Sequence, residues 1–265
     1  MADMKPRALL YSILGFVLAI AITAPMDANG LTMFSALPLI PLTLGLWWFQ
    51  RLSRIGIGLT LGRPVDYVRA VAYPLIILGL GASIAIFGGA AHPSTLGWPV
   101  INRVLISASV AILGVLLTEE GFFRGWLWGS LESANVGRYR VLVVTSLAFA
   151  AWHISYATLA KGYVLPPAQV AIFIANAAVM GAIWGLLRLM SGSIVVSSVS
   201  HSVWNAIAYA LFGEGPKIGL LGVTQTSLYG AEVGVIGLVL NCIFAAALFA
   251  VHTKHRASVR LAGPG

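Results

Sequence analysis

Apolar stretches of about twenty residues recur along the chain, separated by short polar or Gly- and Pro-containing segments. A helix needs roughly 20 residues, at about 1.5 Å each, to cross a hydrocarbon core of about 30 Å. The pattern therefore predicts eight membrane-crossing helices, at about residues 8–25, 33–50, 70–89, 104–128, 141–157, 168–190, 194–212 and 233–251. The first follows Lys5 and Arg7 and ends in AITA, features that a signal peptide shares. Seven later spans and the neighbouring Pro25 favour an uncleaved anchor. The segment 51–69, RLSRIGIGLTLGRPVDYVR, is too polar to span and is expected along the interface. The connections at 91–103 and 213–232 are expected to be irregular.

Composition agrees with lipid as the solvent. The chain is 59% hydrophobic and 9% charged, whereas a soluble domain carries about a quarter charged residues. An all-α, polytopic membrane bundle is expected, with residues 1–265 as a single integral membrane domain. The basic residues alternate in sequence, and the connections on one side hold thirteen Lys and Arg against three on the other. Such a bias places the richer side in the cytoplasm and requires an even number of spans, with both termini cytoplasmic. The same scatter argues against nucleic acid as a partner, because no basic patch gathers to meet phosphates. Cys242 is the only cysteine, so no intramolecular disulfide forms.

Within the fourth span, fourteen uncharged residues at 104–117 lead into TEEGFFRG at 118–125. Those fourteen would reach only about 21 Å, so the helix is expected to continue past Glu119 and Glu120 to cross. Trp126 and Trp128 would then sit at the interface, where such aromatics collect. Both glutamates fall inside the hydrocarbon layer, where a charge costs roughly 2.5–3.5 kcal/mol and marks a functional site by default. Glu120 and Arg124 are four residues apart and can pair, while Glu119 points about 100° away.

Two further spans carry polar groups at a similar depth. His153 interrupts VLVVTSLAFAAWHISYA, and His201 and Asn205 share one face of IVVSSVSHSVWNAIAYA. Singly, each reads as a helix-packing group bonded to a neighbouring helix. Together with Glu119 they lie at one level, roughly 12–18 Å above the cytoplasmic ends of their helices. A shared polar cavity follows, since none of them faces lipid cheaply.

The motifs EExxxR (Glu119, Glu120, Arg124), FxxxH (Phe149, His153) and HxxxN (His201, Asn205), in that order on separate spans, resemble the CPBP family of intramembrane proteases. That family includes the type II CAAX prenyl endopeptidases and the bacterial Abi-type members. The resemblance covers a catalytic core of about residues 100–210. It implies an endopeptidase acting on a membrane-associated, CAAX-type lipidated or leader-bearing substrate, in a bacterial or archaeal plasma membrane. It also implies roles. Glu119 would be the general base, with His153 helping to activate water, while His201 and Asn205 donate to the oxyanion. Glu120, Arg124 and Phe149 would support the site, and Arg124 is a candidate partner for a substrate carboxylate. Gly181 and Gly185 form a GxxxG pattern that permits close helix packing.

No cofactor is expected on this reading. Two alternatives remain. Glu119, His153 and His201 have the ligand types for a catalytic Zn²⁺ with one open position. A polar cavity would also serve a non-catalytic immunity or transport protein, although no inverted repeat is evident.

Overall fold

A computed structural model describes residues 4–94, 97–162 and 164–261. The described residues are mainly helical, and eight helical segments among them are long and apolar enough to cross a membrane. The long helices are α1 (Met4–Ala28), α2 (Leu39–Gln50), α3 (Pro64–Phe87), α4 (Trp98–Leu117), α6 (Arg138–Leu159), α7 (Pro167–Ser191), α8 (Ile194–Leu211) and α10 (Val235–Leu261); α5 (Trp128–Ser133) and α9 (Thr226–Tyr229) are short. A two-residue hairpin pairs β1 (Gly213–Glu214) with β2 (Lys217–Ile218) in antiparallel register.

Local signals explain the boundaries. Pro64 opens α3, and Pro167 opens α7, because a first-turn residue has no intrahelical partner for the N–H that proline lacks. The α7–α8 turn reads Ser-Gly-Ser for a reason. Gly192, at φ 73°, adopts the left-handed conformation that closes α7, and the Ser193 hydroxyl caps α8 by accepting from Val195 and Val196 N–H.

The expected fourth helix is the main departure. It starts earlier, at Trp98, and does not run unbroken to 128. Helix geometry fails at Thr118, with φ −98° and ψ −96°. The chain resumes as a π-helical segment, Gly121–Leu127, that leads into α5. A Cβ at Gly121 would lie 2.6 Å from the Leu116 carbonyl oxygen, so the widened turn depends on glycine there. Trp126 and Trp128, expected at the interface, are instead fully buried in the core. The end of the segment 51–69 also differs, since residues 64–69 already belong to α3. The connection 91–103 contains the first residues of α4, and 213–232 contains the hairpin and α9.

The core joins α6, α7 and α8, whose inner faces are the most buried, with the π segment between them. The GxxxG expectation holds: a Cβ at Gly185 would lie 2.5 Å from Leu142 Cδ1, and one at Gly181 would lie 3.2 Å from Ser146 Cα. Apolar side chains on α1 and α4, among them Leu14, Val17, Leu105 and Val110, are exposed where lipid would cover them.

Candidate active site

The break at Thr118 sends the two glutamates in opposite directions. Glu120 turns inward and is fully buried. Its Oε1 lies 3.1 Å from Arg124 Nη1, and neither side chain is exposed. The guanidinium also donates to the Gly181 carbonyl (3.0 Å) and stacks over the Phe149 ring at 4.3 Å. Arg124 is thus sealed between three helices. It does not border the cavity, which removes it as a partner for a substrate carboxylate.

Glu119 turns the other way, into a cavity of about 390 Å³. His153 from α6 and His201 from α8 approach it, each placing Nε2 3.9 Å from the same oxygen, Glu119 Oε2. That is beyond direct hydrogen bonding. The Nδ1 atoms face elsewhere. His153 Nδ1 lies 2.8 Å from its own helix's Phe149 carbonyl, which can only accept, so Nδ1 carries the proton. His201 Nδ1 lies 3.2 Å from Glu120 Oε1, a carboxylate already ion-paired to Arg124, so here too the ring donates. With Nδ1 committed, a neutral imidazole presents a lone pair at Nε2. Both lone pairs point at Glu119.

Asn205 lies one turn beyond His201 and borders the same cavity. Its amide makes no hydrogen bond to another described residue. Glu119, His153, His201 and Asn205 are therefore brought together, with Phe149 packed against both rings at centroid distances of 4.4 and 6.0 Å. Among the described residues, no group of three His, Cys, Asp or Glu side chains is poised to hold a metal ion.

Two participants were not legible as such in the sequence. Trp184 stacks on the His201 ring, 3.7 Å between centroids and 15° from parallel, which fixes the plane in which Nε2 points. Glu232, a loop residue just before α10, folds back to border the cavity and accepts from Trp204 Nε1 (2.9 Å). Burial raises its carboxyl above the usual range, and the Trp204 bond opposes that only in part. Asn176 holds this turn in place, its amide donating to the Ala231 and Glu232 carbonyls. Asn241 donates to Asn176 Oδ1 and accepts from the Tyr73 hydroxyl, which extends the tie to α3. The only cue was that Glu232 is one of just eight acidic residues.

The cavity walls are aromatic, with Trp152, Tyr156, Phe173 and Tyr209 above the polar floor. Ligand sites have this character, a largely apolar concavity with a few convergent polar groups. No curated protein matches the chain. Residues 101–207, which hold all three motifs, match the family model of type II CAAX prenyl endopeptidases, Rce1-like, so this multi-pass membrane protein carries the segment characteristic of a CAAX-type intramembrane endopeptidase family.

Proposed function

We propose that the chain is an intramembrane endopeptidase in which Glu119 and His153 activate water against a peptide bond. The observation that carries this reading is the convergence of two imidazole Nε2 atoms on one oxygen of Glu119 at the cavity floor. Two lone pairs and a carboxylate oxygen facing each other need protons between them. A water supplies two. Donating one to Glu119 and one to His153, it keeps a lone pair for the substrate carbonyl.

Attack forms the new C–O bond while the water's proton passes to Glu119, and the carbonyl oxygen becomes the oxyanion. Glu119 then delivers that proton to the leaving nitrogen as the C–N bond breaks. No side chain becomes bonded to substrate. Asn205, whose amide bonds to no other described residue, supplies an N–H to the oxyanion, the stabilisation that contributes most in acyl transfer. His201 joins it as a donor only when both ring nitrogens carry protons, because Nδ1–H is already given to Glu120.

The test is peptide release by purified protein in detergent. Glu119→Gln keeps the shape but cannot take the proton, and should lower turnover by at least about 10²-fold, the scale of general base catalysis. Wild-type turnover should survive a chelator. Near-wild-type turnover by a folded Glu119→Gln variant would refute the role as base. Chelator loss restored by zinc would favour the metal reading of Glu119, His153 and His201.

A further inference from the structure

The two ends of the bundle differ sharply in charge. At one end the loop after α2 meets the α7–α8 turn, where Arg188 donates to the Gly56 carbonyl and Thr60 to that of Gly192. Arg63, Arg69 and Arg138 border one depression at that end. At the other end the His92 N–H donates to the Leu221 carbonyl, and Lys161 N–H to that of Asp27. Of sixteen Lys and Arg, twelve belong in sequence to the first end and Arg124 is buried inside the bundle, which leaves Arg103, Lys161 and Lys217 at the second.

The cavity opens at the second, cation-poor end. Its lining runs from Glu119 and His201 outward to Met33, Lys161 and Lys217, and no loop of the cation-rich end contributes to it. Cation-rich loops stay in the cytoplasm, so the mouth faces away from it. A second groove, of about 560 Å³, runs between α4 and α8, with Val104 and Ser107 on one wall. It shares Asn205, Tyr209, Glu214 and Lys217 with the catalytic cavity. The groove is closed at its outer end by the loop carrying Glu214 and Lys217, and the apolar window of α4 beside it is little buried.

We propose that Glu119 is reached from the non-cytoplasmic side, and that the substrate is the outer juxtamembrane segment of a membrane-anchored polypeptide, admitted between α4 and α8. The claim about substrate rests on the protease reading above; the claim about side does not. A protein lipidated at a cytoplasmic C terminus would present its bond at the wrong end.

Single-thiol variants decide the side. Cys242 is exposed on α10, so Cys242→Ser is the background for Lys217→Cys and Met33→Cys at the mouth and Arg54→Cys at the opposite end. Spheroplasts of a bacterial host are treated with a membrane-impermeant maleimide. The two mouth variants should react before lysis, and Arg54→Cys only after it; the reverse pattern overturns the proposal. Labelling needs no turnover, so an inactive protein still reports its orientation. The substrate class is tested in proteoliposomes with one fluorogenic peptide, with and without an acyl anchor. Confinement to the bilayer raises effective concentration, so the anchored form should show a KM lower by about tenfold or more. Ser107→Trp, which fills the groove, should erase that advantage. Equal KM values, or an advantage untouched by Ser107→Trp, would overturn the membrane-anchored substrate.

Discussion

The Glu120–Arg124 pair offers a perturbation whose size follows from the geometry. Both side chains are inaccessible, and the ions lie 3.1 Å apart. Glu120→Gln keeps an acceptor for His201 Nδ1–H but leaves the guanidinium charged, with only the Gly181 carbonyl and the Phe149 ring beside it. Removing one member of a buried pair costs about 3–5 kcal/mol. For a chain of this size that is on the order of 6–20 °C in melting temperature. The second substitution is more telling. Glu120→Gln with Arg124→Met removes the stranded charge and should recover most of the loss, because apolar replacement of a buried ion pair is often close to neutral. Turnover should recover less fully, since a neutral amide holds the His201 Nδ1 proton less strongly than the Glu120 carboxylate does. Melting curves and turnover per folded molecule, measured in one detergent, separate the two effects. A Glu120→Gln variant that melts like wild type would show that the pair is not a buried ion pair. Full turnover in the double variant would show that Glu120 does not act through His201.

Two further outcomes are expected. Asn205→Ala should lower the catalytic rate by about 10²–10³ with little change in KM, the scale for losing one oxyanion donor, and an unchanged rate would reduce Asn205 to packing. Glu232 is held above the ordinary 4.5 by burial, so its contribution to stability is complete below that value and is lost as pH rises through the raised one; Glu232→Gln should flatten this decline in melting temperature with rising pH, and an identical pH profile would refute the buried carboxyl.

The level at which Glu119, His153, His201 and Asn205 meet was legible because a helix rises by a fixed amount per residue, so depth can be counted from the chain's own turns. Side-chain direction was not. Adjacent residues on an ideal helix diverge by about 100°. At Thr118 the helix is interrupted, and a π turn adds a residue to it, so the 119–128 stretch presents faces that no regular period predicts. Trp126 and Trp128 were misplaced for a related reason. An aromatic near the end of an apolar run reads the same whether it meets headgroups or another helix. What decides is α1: the Trp126 ring packs against Gly15, where a Cβ would not fit, a long-range contact with no trace in local pattern. Glu232 left no local signal because its partner, Trp204, is 28 residues away in sequence.

The opposed glutamates also account for the acidic pair in so apolar a segment. A site that moves a proton needs one carboxylate free to change its charge and histidines whose tautomers do not drift. Glu119 faces the cavity, part exposed at 16%, and meets both Nε2 atoms. Glu120, with no exposure, spends its charge on Arg124 and its second contact on His201 Nδ1. Neither residue could do the other's work. A solvated Glu120 would lose Arg124 to water, and a buried Glu119 paired with a cation would have no capacity left for a proton. One residue's difference in sequence becomes opposite environments because Gly121 lets the backbone close against Leu116. The small residue beside the pair is therefore as much a part of the site's design as the carboxylates are.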